Sequence, residues 1–293
     1  MKKDKTIIKT VCEKCQLLDF LYERFSEYSN KKIKSFLIHG NILVNNIVTT
    51  KYNRILIPGD EVKLILGKVI FVHKKQALPI LYEDNEFIVI NKPAGLLSVA
   101  TEKEKEKTAY RMIKEHVQAT CSKENIYVVH RLDQETSGIL LFTKNEKLKK
   151  LLQDNWNDFV KLRKYFVIVE GNFTKDKGVI KTFLKENKNK MVYSTKNKKE
   201  GKLAITHYNV IRKNKYNTLL EVFLETGRKN QIRIHMKESG FPVIGDKKYK
   251  SKTNPINRLG LHASALEIIH PITKKTYYFE APTPIEFEKI MKI

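Results

Sequence analysis

The chain has 293 residues, enough for two domains with sizeable cores, and carries 56 Lys and Arg against 32 Asp and Glu for a net charge of +24. That surplus points to a polyanionic partner, because Lys and Arg gain by displacing counterions from phosphates; the plainer alternative is a solvated surface in a Lys- and Asn-rich proteome. No apolar stretch approaches the roughly 18 residues a membrane-spanning helix needs, which excludes one.

Residues 1–10 are basic and read as frayed. Cys12 and Cys15 form a C-x-x-C, but no second pair and no His/Cys cluster completes a zinc site, so they read as ordinary thiols at the start of a helix. With Cys121 the count is odd, and no signal peptide is evident, so a reducing cytoplasm is expected. Leu17, Leu18, Leu21 and Phe25 recur at helical spacing. Ser29 can cap a second helix that carries Ile33, Phe36 and Leu37 together with Lys31, Lys32 and Lys34. Gly40 can end that helix in the left-handed conformation. Ile42 and Val44 run into Asn45-Asn46, a strand entering a tight turn. Pro58-Gly59-Asp60 is a second turn, before a strand over Val62–Leu64. Residues 68–78 form a basic connector. The boundary is placed there, giving domains 1–75 and 76–293.

The second domain opens on Phe87–Ile90, a continuous apolar run short enough for a buried strand, stopped by Pro93 and Gly95. Residues 102–107 alternate in charge as an exposed loop. Thr108 can cap a helix with Ala109, Met112, Ile113 and Val117 on one face. Ile126–Val129 and Ile139–Phe142 predict two buried strands around a polar segment that holds His130, Arg131, Asp133, Thr136, Ser137 and Gly138. A core hairpin does not need a base, a cation, a carboxylate, two hydroxyls and a glycine, whereas a site held at a strand end does. The plainer alternative is that Asp133 and Thr136 only cap a turn.

Leu148, Leu151, Leu152, Trp156, Phe159 and Val160 predict one amphipathic helix, with Trp156 in the core rather than stacked on a nucleic-acid base. Lys164–Gly171 reads as a strand opening on Lys164-Tyr165. Lys181–Lys202 holds eight lysines and two glutamates, and reads as a mobile loop or hairpin over the polyanionic partner. Lys202–Tyr208 resumes the alternation of a half-buried strand. Thr226-Gly227 marks a turn before Gln231-Ile232-Arg233-Ile234-His235, where Ile232 and Ile234 supply the apolar face.

These blocks, in this order, carry a resemblance. His130-Arg131-Leu132-Asp133 with Thr136-Ser137-Gly138 closely resembles the signature of the RluA-type pseudouridine synthases. Asn91-Lys92-Pro93-Ala94-Gly95, Lys164-Tyr165, Gln231–His235, Gly240–Asp246, Leu261-His262-Ala263, His270-Pro271 and Ala281-Pro282 fit the same family over residues 79–284. Two departures stand out. Leu97-Ser98-Val99-Ala100 stands where many members have His-Pro, and Lys229-Asn230 where a small hydroxyl residue and a His are usual. The phrases SNKKIKSFLIHGNILVNN and IPGDEVKL resemble the halves of an S4 RNA-binding module.

The resemblance implies an α+β fold: a catalytic domain with a mixed, mainly antiparallel sheet, and a small N-terminal S4-like α/β domain. It implies isomerisation of uridine in RNA, which is redox-neutral and requires no cofactor and no metal. Asp133 matches the catalytic carboxylate, which could add to the base, attack C1′ or deprotonate C2′. An ionised carboxylate in a dry pocket costs several kcal/mol unless paired, and Arg233 matches the arginine that pairs with it. Tyr165 would stack on the extruded uracil, and Arg131 would fill the space that base leaves. His130 would support the loop and Thr136 brace the turn on the RNA side of the site. Lys164, Lys31, Lys32 and Lys34 would contact RNA. Lys92, His235 and His262 read as structural. The implied partner is RNA, large-subunit ribosomal RNA ahead of transfer RNA, bound by a monomer with no membrane association. Two rivals are a non-catalytic RNA-binding assembly factor and an S4 protein with another activity such as methylation. The absence of a glycine-rich cofactor loop after a strand weighs against the second.

Overall fold

The computed structural model describes residues 5–38, 40–45, 47–50, 52–66, 78–102, 104–120 and 124–292. The chain divides into two units, 1–76 and 77–293. Asn46, Cys121 and residues 68–77 of the expected connector lie outside the described residues.

The first unit contains β1 (Lys5–Thr10), β2 (Cys15–Gln16), α1 (Leu17–Arg24), α2 (Asn30–Ile38), β3 (Ile42–Val44), β4 (Ile47–Val48), β5 (Ile55–Leu56) and β6 (Glu61–Leu66). The four-stranded sheet has the order β1-β6-β3-β4, and β2 pairs with β5. Leu17, Leu21, Ile33, Leu37, Val44 and Leu64 meet in its core. Ser29 caps α2 through Oγ, which accepts from Lys32 N at 3.3 Å, and Gly40 has φ +63°. Residues 5–10 are not frayed: β1 pairs antiparallel with β6 from Lys5↔Leu66 to Thr10↔Glu61. Backbone ladder bonds hold the strand, and Lys9 on it is exposed, so its charge does not oppose the pairing. Cys15 lies in β2 opposite Leu56, and the helix begins two residues later.

The second unit contains β7 (Ile80–Glu83), β8 (Phe87–Lys92), α3 (Ala109–Thr120), β9 (Tyr127–Val128), β10 (Ser137–Thr143), α4 (Glu146–Asp154), α5 (Trp156–Phe159), β11 (Val160–Glu170), β12 (Lys177–Glu186), β13 (Val192–Thr195), β14 (Lys202–Lys213), β15 (Asn217–Leu224), α6 (Gln231–Glu238), β16 (Leu261–Ile269), β17 (Thr276–Glu280) and α7 (Ile285–Met291). One sheet runs β13-β12-β14-β15-β11-β16-β10-β8-β7, with β17 on β16 and β9 on β10. Among the described strands β10 and β16 are parallel and the other pairs antiparallel, the mixed, mainly antiparallel sheet of an α+β fold. Every residue of β10 is buried, as a central strand covered on both faces requires.

Two local readings change. The apolar series from Leu148 to Val160 is not one helix. It breaks at Asn155, where φ −124° and ψ 41° leave the helical region, and Val160 already belongs to β11. Leu148, Leu152, Trp156, Phe159 and Val160 still pack on one core, so the spacing reports a shared face rather than a continuous helix. Gln231–Glu238 is a helix in which residues 231 to 236 are all buried, so Ile232 and Ile234 do not define a single apolar face. Of the two readings of the lysine-rich segment the hairpin holds, with β12 and β13 paired from Phe183↔Thr195 to Glu186↔Val192. No helix among the described residues is long and apolar enough to cross a membrane.

Candidate active site

The segment from Val129 to Thr136 leaves β9, crosses the mouth of the sheet and enters β10. Leu132 points down into the core formed by Ile90, Ile113 and Leu140, which turns Arg131 and Asp133 toward the opposite side. Ser98 pins this crossing from beneath: its hydroxyl donates to Leu132 O at 2.7 Å and accepts from Leu132 N at 3.1 Å. The Ser98 carbonyl accepts from Tyr110 N at 3.1 Å, so the same residue also holds the first turn of α3.

Lys92 ties two loops together. Its side chain is fully buried and Nζ donates to Pro93 O, Leu96 O and Gln134 O at 3.0, 2.7 and 3.0 Å. Burial pulls its pKa down to about 7, against the pull of Glu135 and Asp133. Gly138 has φ +109°, and a Cβ there would lie 2.1 Å from Ala263 O, so only glycine lets β10 meet β16 at the end of the Thr136-Ser137-Gly138 turn.

Asp133 faces an open cleft of about 780 Å³. Arg131, Arg163, Arg228, Lys229 and Arg233 also line it, and Asp133 is its one carboxylate among the described lining residues. Arg233, from α6, points Nη1 at Asp133 Oδ2 across 3.7 Å. Its tighter partner is Asp246, which accepts from Nε at 2.7 Å and from Nη2 at 2.6 Å. Burial alone would lower the Arg233 pKa, but Asp246 and then Asp133 outweigh it, and the net shift is upward. Asn230, the departure from the family pattern, sits at the start of α6 with φ +55°. Its Oδ1 accepts from Arg233 Nη1 at 3.3 Å, and its Nδ2 donates to the Tyr249 hydroxyl at 3.0 Å. The Tyr249 ring lies under the guanidinium, 5.1 Å from centroid to Cζ. Gln231 staples the approach: its amide accepts from Thr226 Oγ1 and Arg228 N and donates to Ile205 O and Thr206 Oγ1.

Tyr165 reaches the cleft from β11. Burial, with the Asp133 charge nearby, pushes its pKa up to about 12 against the opposing pull of Arg163, so the phenol is a donor at neutral pH. His130 Nε2 accepts from Leu141 N at 3.1 Å, which leaves the proton on Nδ1. Burial and then Arg163 pull its pKa down to about 4, and its ring lies 5.3 Å from that of Trp156, also at the cleft. Arg131, exposed, and Thr136, buried, line the cleft as well.

Lys164 does not join them. It lies on the opposite face of β11 from Tyr165, between Glu221 at 3.7 Å and Glu280 at 3.6 Å. The cation of β11 that lines the cleft with Tyr165 is Arg163, two residues before it, which alternation along the strand could have flagged. Lys31, Lys32 and Lys34 are exposed on α2 in the first unit. Asp246 and Ser98 carried no assigned role in the sequence reading, since both act through partners distant in the chain.

The family model for RNA pseudouridylate synthase matches residues 86–238. A Bacillus subtilis protein described as the uncharacterized RNA pseudouridine synthase YlyB is 31% identical over 96% of this chain and 94% of its own. The ribosomal large subunit pseudouridine synthase D of Buchnera aphidicola (Acyrthosiphon pisum) is 28% identical over 98% of each chain. Human RNA pseudouridylate synthase domain containing 4 shares the fold, with a TM-score of 0.61 at 20% identity over 73% of this chain and 93% of that one. The matched model spans the Asp133, Tyr165 and Arg233 blocks, and the chain belongs to the RluA family of RNA pseudouridine synthases.

Proposed function

We propose that this synthase isomerises specific uridines of large-subunit ribosomal RNA, with Asp133 as its catalytic carboxylate. The observation that carries the assignment is Asp133 itself: one carboxylate in a cleft lined by cations, opposite an arginine that a second, buried carboxylate already holds in place. Isomerisation breaks the C1′–N1 bond, turns the uracil and joins C1′ to C5; the C5 proton leaves and N1 gains one. Asp133 supports each of three routes: addition to the base, attack on C1′, or removal of a C2′ proton. Arg233 stabilises the carboxylate while it waits for substrate.

The base must leave its stack, at a cost of a few kcal/mol. Arg131 is exposed on the face that carries Asp133 and is suited to occupy the vacated space. Tyr165 offers a ring for the extruded uracil and a protonated hydroxyl beside it. His130 and Thr136 support the loop rather than react. Lys31, Lys32 and Lys34, on an S4-like first unit, add phosphate contacts that are independent of sequence.

The ribosomal substrate rests on the likeness to large-subunit synthase D over nearly the whole chain. On this reading the enzyme works as a monomer in the cytoplasm. Pseudouridine mapping of total RNA from cells with and without the gene tests the substrate: loss of signal at one or a few ribosomal uridines is expected. Loss confined to transfer RNA would replace the substrate, and an unchanged map would refute the ribosomal reading.

A further inference from the structure

Arg163 and Arg228 face the same cleft as Asp133 and Tyr165, yet neither forms an ion pair with a carboxylate among the described residues. Their anchors are backbone carbonyls: Arg163 Nη2 donates to Glu225 O at 2.7 Å, and Arg228 Nε donates to Leu203 O at 2.9 Å. Arg163 is half-buried and Nη1 of its guanidinium approaches Gly227, where an added Cβ would come within 2.7 Å of it. The turn Thr226-Gly227-Arg228 therefore delivers one guanidinium and makes room for the other. Burial lowers the Arg163 pKa, with Arg228 adding to the effect, as expected of cations that share a partly dry site without a counter-anion.

Arg163 and Tyr165 lie two residues apart on one face of β11, about 7 Å along the strand. A nucleotide whose base stacks on Tyr165 carries its phosphate within reach of Arg163. A guanidinium matches phosphate oxygens with two parallel N–H donors, and fixing it beforehand reduces the entropy lost on binding. Lys229, next in the chain, differs: it is already paired with Glu186.

We propose that Arg163 and Arg228 form a two-arginine site for a phosphodiester group of the RNA strand that bears the target uridine. The inference rests on the RNA reading of the cleft. Its role is to hold the backbone beside the extruded nucleotide, apart from the chemistry at Asp133.

The test is a salt titration of binding to a fluorescent oligouridylate by the full-length protein. Arg163→Gln and Arg228→Gln should each weaken binding about tenfold. Each should also make the slope of log K against log salt shallower by roughly 0.7, the value for one single-strand phosphate contact. Lys215→Gln removes the same charge from an exposed turn outside the cleft and should leave the slope unchanged. Gly227→Ala keeps the net charge but displaces the Arg163 head group, and should weaken binding as Arg163→Gln does. Equal slopes in wild type and both arginine variants, or an equal loss in Lys215→Gln, would overturn the site, as would failure of the wild type to bind the probe. Wild-type conversion of uridine in total RNA is scored in parallel. Conversion with unchanged slopes sinks the arginine site alone, whereas the predicted slopes without conversion sink the catalytic assignment and leave the site standing.

Discussion

Arg233 holds Asp246 at 2.6 and 2.7 Å and Asp133 only at 3.7 Å. The two carboxylates also differ in burial: the Asp246 side chain is 0% exposed and that of Asp133 36%. One carboxylate anchors the arginine and the other is left facing the cleft. Asp246 is thus a positioning residue for Arg233, and Asp133 keeps oxygen lone pairs free for substrate.

Replacing Asp246 with Ala should therefore strike both fold and rate. It strands a buried guanidinium, at a cost of about 3–5 kcal/mol for a broken buried pair. Chemical denaturation should register that loss. Asp246→Asn, which retains acceptor capacity on one oxygen, should lose less stability but still lower kcat, with RNA affinity little changed because Asp246 does not line the cleft. Equal kcat in wild type and Asp246→Asn would show that the anchor is dispensable.

Ser98 makes both side-chain bonds to one residue, Leu132, whose neighbours on either side are Arg131 and Asp133. Ser98→Ala leaves the Leu132 N–H and C=O without this partner, at a cost of about 1–3 kcal/mol for buried polar groups. The expected signature is a fall in kcat larger than any rise in KM. A variant that loses stability but keeps wild-type kcat would confine Ser98 to a structural role.

Tyr165→Phe keeps the ring and removes the hydroxyl. If that hydroxyl moves a proton, kcat should fall by roughly 100-fold or more, the usual worth of general acid–base catalysis. RNA affinity should hold in Tyr165→Phe and fall in Tyr165→Leu, which also removes the stacking surface. Since burial raises the Tyr165 pKa to about 12, its ionisation should not limit the rate near neutral pH. An unchanged kcat in Tyr165→Phe would reduce the residue to a stacking platform.

Stability should fall on the acid side of neutrality. Burial pulls His235 and His262 from 6.5 down to about 4, so both are neutral in the fold. Between those values the unfolded chain binds protons that the folded chain refuses. Their stabilisation is complete above about pH 6.5 and is lost as pH falls toward about 4, at roughly 1.4 kcal/mol per pH unit for each histidine. Urea midpoints measured from about pH 7 to about pH 5 should decline, and a flat series would contradict the buried neutral rings.

Much of the site was legible in the sequence because its chemistry is concentrated in short blocks. Arg131 and Asp133 stand on either side of an apolar Leu132, so alternation already gave their shared direction. Arg233 and Tyr165 followed from the order of the blocks. What the sequence hid depends on contacts between distant segments. Ser98 reaches Leu132 from 34 residues away, and Asp246 reaches Arg233 across a loop whose local pattern signals only a turn. Lys164 was grouped with Tyr165 as its neighbour, but adjacent strand residues face opposite ways, and Arg163 is the one that shares the cleft. The helix break at Asn155 was hidden because Trp156 and Val160 continue an apolar spacing while packing on the same core from a new element. In β1 the lysines masked a strand that backbone pairing sustains.

The most direct test of Asp133 is conversion of uridine by Asp133→Asn beside wild type, with RNA binding measured on the same preparations. The substitution keeps size and hydrogen bonding but removes the charge facing Arg233. Loss of all detectable pseudouridine with affinity close to wild type is expected. Conversion at a comparable rate would contradict the assignment and leave Asp133 as a turn residue.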